Sequence, residues 1–310
     1  MTKGLGWAGI GLRAAVAVGL AAAFLAGAAG GAATEMEEDE ARQERLMQLY
    51  DRMIRFNLEG VQTLPEKEID ERMGEFSGVE VGKRIADWAE YFWKRGVTTY
   101  RFGLKPGGYA AEGRLVDDFR TDCVLFVYRT TELGRSSSAL EAVQFAFGTR
   151  FYGASLEEVV DEEGRVDYDS PVHLDYAEEM IGSGIWGRDI TDSLSVTVAD
   201  PAGTERYPAG ELRYAPKNLL DLSGLMDGDI VWFVADERTE AGRSVRAAGT
   251  QIGHLGIVRR DPDGTKLIHA AASGLEGHYE GGKVEKVPLA TYLARVETWK
   301  GLVVTRIENF

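Results

Sequence analysis

Helix-type and strand-type residue patterns occupy different halves of this 310-residue chain, and that separation limits the folds it can adopt. Apolar residues recur at helical spacing up to about residue 184, most clearly over 81–96, 123–133 and 136–147. From Asp227 onward, short apolar runs separated by turn residues predict strands instead. Helices followed by antiparallel strands are typical of an α+β fold rather than a doubly wound sheet. We therefore predict the α+β class.

The first 33 residues have the composition of an export signal. Lys3 and Arg13 are their only charged residues, and an apolar run over 14–29 leads to small-residue cleavage positions such as Ala28 and Ala33. This layout predicts a signal peptide over 1–33 and an exported protein, periplasmic or secreted. An uncleaved anchor is the alternative, because about 20 apolar residues can span a bilayer.

The charge balance argues against polyanionic partners. The chain carries 35 basic and 50 acidic residues, a net charge of −15, and removal of residues 1–33 makes it two units more negative. Such a surface repels phosphate backbones and anionic lipid, so we expect no nucleic-acid partner. Nothing in the sequence indicates an obligate protein partner.

The chain contains one cysteine, Cys123, at the start of a predicted helix with Asp122 or Thr121 as N-cap and Gly134 past its end. The unpaired N–H groups of a first helical turn favour thiolate over thiol, so this position predicts a lowered cysteine pKa. The backbone N–H of Cys123 would also offer a donor for an oxyanion. A buried, inert thiol is the alternative.

Two of the four histidines, His254 and His269, fall on adjacent predicted strands. A hairpin with a two-residue loop at Pro262 and Asp263 places residue 254 opposite 271, so the histidines share a face one diagonal step apart. One imidazole can then orient the other. The alternative is a pair of structural histidines in a half-buried sheet.

No sequence motif implies a metal or a cofactor. HExxH, CxxC and EF-hand spacings are missing from the sequence, as are the P-loop and the dinucleotide fingerprint. We therefore expect neither. His173 lies near a helix start and could face a cleft or the surface.

Four motifs taken in order, TDCVLFV, DGDIVWF, IGHLGIV and KLIHAA, resemble the NlpC-type cell-wall hydrolases of the papain-like superfamily. FGTRFYG, HLDYAEEMIGSGIWGRDIT and LATYLARVETWKGLVVTRI point to its N-acetylmuramoyl-L-alanine amidase-like branch, long regarded as a domain of unknown function. The resemblance covers about 80–310. It implies a fold in which the cysteine helix packs on an antiparallel sheet that carries the histidine pair.

The resemblance also implies roles for individual residues. Cys123 would be the nucleophile, His254 the general base and His269 the group that orients it. Tyr100 would line the cleft near the cysteine, and the substrate contacts implied are Tyr100, Asp122, Arg150 and His173. Leu125, Tyr128 and Pro171 depart from the residues expected in this branch, at positions where substrate would be held.

The implied activity is hydrolysis of the amide between muramic acid and L-alanine in peptidoglycan or muropeptides, including 1,6-anhydro fragments, through a thioester. A γ-D-glutamyl-diamino acid endopeptidase on the same scaffold, a thiol acyltransferase and a non-catalytic wall-binding module are the alternatives. The corresponding organisation is a signal peptide over 1–33, an N-terminal helical segment over 34–97 and a catalytic domain over 98–310.

Overall fold

The computed structural model describes residues 32–60, 62–174, 176–194, 197–198 and 212–308. The chain divides into two compact units, Met1–Gln48 with Phe310 and Leu49–Asn309. The described part of the first unit is helical, and the second unit contains the strands and all candidate site residues. The predicted signal peptide lies outside the described residues except for positions 32 and 33. Among the helices described, none is both long and apolar enough to cross a membrane.

The helices lie mainly in the first two thirds of the chain, where the apolar periodicity predicted them. Their bounds are α1 (Ala32–Leu58), α2 (Glu66–Glu75), α3 (Val81–Arg95), α4 (Cys123–Arg135), α5 (Ala139–Arg150), α6 (Leu156–Val159), α7 (Glu178–Ser183), α8 (Glu240–Ala247) and α9 (Leu289–Arg295). Helix α3 ends as predicted at Gly96, whose φ of 66° is left-handed. Helix α5 begins at the predicted cap Ser138, whose hydroxyl accepts from the Glu141 N–H at 3.1 Å.

The strands form a mixed but largely antiparallel sheet. They are β1 (Thr99–Tyr100), β2 (Arg120–Thr121), β3 (Arg188–Asp189), β4 (Thr197–Val198), β5 (Arg213–Pro216), β6 (Ile230–Ala235), β7 (Ile252–Asp261), β8 (Gly264–Ala271), β9 (Lys283–Pro288) and β10 (Trp299–Arg306). The order is β2-β1-β9-β8-β7-β6-β10-β5-β4, with β3 paired to β10. Of these pairs, β1 with β2 is parallel. The architecture agrees with the predicted α+β class.

Helices α3 and α4 pack together on the sheet and form most of the core. The predicted apolar face of α3 is buried at Ile85, Trp88 and Phe92, which share one cluster with residues of β6, β7 and β8. Helix α4 does not end before Gly134, as predicted, but continues to Arg135. A Cβ on Gly134 would lie 2.5 Å from Ile85 Cγ1, so this glycine permits close helix packing rather than ending the helix.

An ion-pair network fixes the β7–β8 hairpin against α3. Arg259 on β7 bonds Asp87 at 2.7 Å and Glu90 at 3.1 Å, and Lys286 on β9 reaches Glu90 at 3.3 Å. Helix α3 therefore lies in the same compact unit as the histidine-bearing strands.

Candidate active site

Asp122 positions Cys123 by capping helix α4. One carboxylate oxygen accepts from the backbone N–H groups of Val124 at 3.0 Å and Leu125 at 2.9 Å, and the other accepts from Gly103 at 2.8 Å. The predicted N-cap is therefore Asp122. Because its buried carboxylate is occupied by three backbone donors, Asp122 organises the loop beside the cysteine. Asp122 also lines the cleft, where the resemblance implied a substrate contact.

The Cys123 thiol does not have the lowered pKa that its helix position predicted. Burial raises the pKa of Cys123 above its ordinary value, and the nearby Asp122 carboxylate raises it further. The backbone N–H groups of Leu255, Cys123 and Val124 oppose this rise. Loss of solvation outweighs the helix terminus, so the resting side chain is a neutral thiol.

The β7–β8 hairpin has the register that the two-residue loop predicted. Asp261 pairs with Gly264 and Ile257 with Ile268, and continuation of this register puts residue 254 opposite 271. His254 Nε2 lies 2.7 Å from His269 Nδ1, so the diagonal contact between the imidazoles is confirmed. Gly256 makes room for it, since a Cβ there would lie 2.9 Å from the Cβ of His269.

Both imidazoles are held neutral by their surroundings. Burial lowers the pKa of His254 to about 4, and burial together with His254 lowers the pKa of His269 well below its ordinary value. The His254 ring stacks on Trp299 with centroids 6.2 Å apart, and His269 meets the Tyr292 ring edge-on at 5.1 Å. With His254 Nε2 donating to His269, its Nδ1 keeps a lone pair that can accept a proton.

Cys123, His254 and His269 line one cleft of about 1160 Å³. Tyr100 on β1 also lines it, and burial and the Cys123 thiolate raise the pKa of this tyrosine, so it is a neutral donor. No hydrogen bond joins the thiol to His254 among the described residues, so these two groups share the cleft without a direct bond.

His173 lies in the wall of the same cleft. Its ring meets the edge of Tyr168 with centroids 4.9 Å apart and packs on Phe151 at 5.3 Å. These rings fix its position. Of the two positions expected from the sequence, facing a cleft or the surface, the structure shows the cleft.

Arg150 lies in the core, not in the cleft. Its guanidinium is fully buried and donates to Glu132 at 2.6 Å, to the Leu115 carbonyl at 2.7 Å and to the Tyr168 hydroxyl at 2.8 Å. The group also lies 4.2 Å above the Tyr128 ring. Because these donors are used inside the protein, Arg150 supports the cleft wall instead of contacting substrate.

Several residues of the site were not singled out from the sequence. Trp299 and Tyr292 enclose the histidines. Among the described residues that line the cleft, Arg295 is the one that is a lysine or an arginine. The Glu178 carboxylate accepts from Thr250 Oγ1 at 2.7 Å and fixes the turn before β7. They lie within sequence segments quoted above, but their roles depend on partners distant in sequence.

The described residues contain no group of three or more His, Cys, Asp or Glu side chains arranged to hold a metal ion. The cleft lining offers a thiol, an imidazole pair, tyrosine hydroxyls and the charged side chains of Glu179, Arg295 and Glu297.

Comparison with known proteins identifies a shared fold. No family model matches the chain, and no curated protein matches it either. A Legionella pneumophila protein of the family DUF1460 superimposes with a TM-score of 0.52 at 17% identity, covering 79% of this chain and 94% of that one. An N-acetylmuramoyl-L-alanine amidase from Bacteroides uniformis gives 0.50 at 19% identity, covering 73% and 100%. This chain has the fold of those two proteins.

Proposed function

We propose that this protein is an exported peptidoglycan hydrolase that cleaves the amide between N-acetylmuramic acid and L-alanine by cysteine catalysis. The observation that carries the proposal is the cleft itself. It is lined by Cys123 at the start of a capped helix and by His254, whose Nε2 lies 2.7 Å from Nδ1 of His269. A nucleophile, a base and a group that orients the base are the three parts that such catalysis requires.

The reaction begins with transfer of the Cys123 proton to Nδ1 of His254. The sulfur attacks the lactyl carbonyl carbon, and the carbonyl oxygen becomes an oxyanion near the backbone N–H of Cys123. His254 then gives its proton to the L-alanine nitrogen, which leaves as the free amine of the peptide. Water, deprotonated by His254, attacks the thioester and releases the muramic acid carboxylate, and the proton returns to the sulfur.

Two further features support this proposal. The fold is shared with a Bacteroides uniformis protein named as an N-acetylmuramoyl-L-alanine amidase, at an identity too low to transfer its activity. The four motifs around Cys123, Asp229, His254 and His269 resemble those of the NlpC-type papain-like hydrolases and occur in the same order. Export is proposed from residues 1–33, and peptidoglycan lies where an exported protein would meet it.

A second candidate is the stem-peptide endopeptidase, which cleaves between D-glutamate and the diamino acid. Two charged side chains of the cleft lining, Arg295 and Glu297, support this candidate. A guanidinium and a carboxylate can pair with the carboxylate and the ammonium of a diamino acid. The two candidates differ in the bond that reaches Cys123.

Mass spectrometry of a disaccharide tetrapeptide after incubation with the protein tests the proposal. We expect free disaccharide and intact tetrapeptide, and no products with Cys123→Ser as the matched control. Disaccharide dipeptide as product would support the endopeptidase instead. Substrate that stays uncleaved but remains bound to the protein would contradict catalysis and favour a wall-binding module.

A further inference from the structure

Tyr176 lines the cleft together with Cys123, in the segment just before α7. Its hydroxyl oxygen is buried and has no hydrogen-bond partner within the part of the chain that the structure describes. A buried polar group without a partner costs folding free energy, so few persist in native proteins. This hydroxyl therefore has an unused donor in the cleft that holds the proposed nucleophile.

Four titratable groups act on this hydroxyl, and three of them are poor candidates for its partner. They are Cys123, Glu178, Asp122 and Tyr100. The Asp122 carboxylate already accepts from three backbone N–H groups, and Glu178 accepts from Thr250 and from the backbone of Gln251. Tyr100 stays neutral. The sulfur of Cys123 is the member of this set that gains negative charge during the reaction.

We propose that Tyr176 is a positioning residue for the nucleophile, and that its hydroxyl donates a hydrogen bond to the sulfur of Cys123 once the thiol proton has moved to His254. The inference rests on the proposed function, because it takes Cys123 as the nucleophile. It deepens that function by naming a donor which compensates for the burial of the thiolate.

The proton balance requires the tyrosine to remain protonated, and its surroundings ensure this. Burial, followed by the negative charge of a Cys123 thiolate, raises the pKa of Tyr176 well above its ordinary value. Tyr176 therefore acts as a donor and not as a base. The sulfur loses its proton to His254 Nδ1, and the tyrosine proton stays on its own oxygen.

The ionisation of Cys123 also responds to other groups that face it, and these must stay intact in the test. Asp122 belongs to the helix cap, Tyr100 to β1, His254 to β7 and Tyr292 to α9. A substitution at Tyr176 that removes one oxygen leaves each of them in place.

The test compares Tyr176→Phe with wild type in alkylation by iodoacetamide from pH 6 to 11, with labelling of the single cysteine followed by mass spectrometry. The midpoint is the pH at which half of the protein is labelled in a fixed time, and it moves with the thiol pKa even when that pKa lies above the range. Loss of a hydrogen bond to a charged group should raise the midpoint by about 1–2 pH units. The melting temperature should not fall, since the oxygen removed has no hydrogen-bond partner among the described residues.

Tyr168→Phe is the matched control. The Tyr168 hydroxyl accepts from Arg150 and donates to the Arg114 carbonyl, both at 2.8 Å, and its ring lines the same cleft. This variant should lower the melting temperature and leave the alkylation midpoint unchanged. The two tyrosines therefore separate an electrostatic effect on sulfur from a general loosening of the wall.

An unchanged midpoint in Tyr176→Phe overturns the inference, as does an equal shift in both variants. The assay contains no peptidoglycan, so its result is independent of the substrate. A shifted midpoint in a protein that cleaves no muropeptide would refute the proposed substrate and support the role of Tyr176. A folded wild-type thiol that never reacts would overturn both proposals.

Discussion

The pKa of His254 predicts how the stability of the protein depends on pH. Burial lowers this pKa from 6.5 to about 4, so the unfolded chain binds a proton at a higher pH than the folded chain does. Above pH 6.5, His254 is mostly neutral in both the folded and the unfolded chain, so it does not make the folding free energy depend on pH. Stability then decreases as the pH falls from 6.5 to about 4 and changes no further below that value.

The size of the effect follows from these two pKa values. Between pH 7.5 and pH 5, protonation of the unfolded histidine alone should cost about 2 kcal/mol of folding free energy. Because the His254 side chain is only partly buried and lines the cleft, we expect a measured loss of about 1–2 kcal/mol.

Urea unfolding of wild type and His254→Gln at pH 7.5 and pH 5, followed by tryptophan fluorescence, measures this loss. The carboxylates titrate alike in both proteins, and burial, the larger cause, keeps the pKa of His269 lowered in both. The wild type should therefore lose about 1–2 kcal/mol more than the variant on acidification. His278→Gln, at an exposed loop histidine, should behave like wild type. Parallel losses in wild type and His254→Gln would show that His254 has an ordinary pKa and would refute the argument.

Three other predictions test the site and the core. His254→Ala should abolish muropeptide turnover while His269→Asn retains about 1–10% of kcat/KM, because an orienting group needs only a polar atom; equal losses would contradict these roles. Glu132→Gln leaves its buried arginine partner unpaired and should cost about 3–5 kcal/mol in urea unfolding. Gly134→Ala should cost about 1–3 kcal/mol through overpacking, whereas Gly148→Ala, with open space at its Cβ, should not destabilise the protein.

The features that the sequence predicted correctly depend on neighbouring residues. The turn at Pro262 and Asp263, between two apolar runs, determines the hairpin register, and the register determines that His254 and His269 meet. The cap at Asp122 likewise depends on backbone N–H groups two and three residues away. Local chemistry therefore predicted the α+β class and the relative positions of the histidines.

The incorrect predictions concern residues whose surroundings are brought together by tertiary packing. Arg150 lies next to an aromatic residue in a glycine-flanked segment, and nothing local indicates that Glu132, 18 residues earlier, binds it in the core. Gly134 has the local appearance of a helix stop, yet the approach of Ile85 from another helix explains it. A sequence pattern specifies the element on which a residue lies, but not which side chains will surround it.

The lone cysteine has two interpretations, a reactive nucleophile and a buried, inert thiol, and the raised pKa of Cys123 is compatible with both. A thiolate is the form of cysteine that oxidises, so a permanently ionised thiol would be damaged in the oxidising compartment proposed from residues 1–33. Burial keeps the Cys123 thiol and the His254 imidazole neutral at rest. Charge then forms on sulfur only when a substrate carbonyl is present to receive it, with backbone N–H groups and the Tyr176 hydroxyl as donors. In this proposed mechanism, the burial that would make a cysteine inert protects the nucleophile between turnovers.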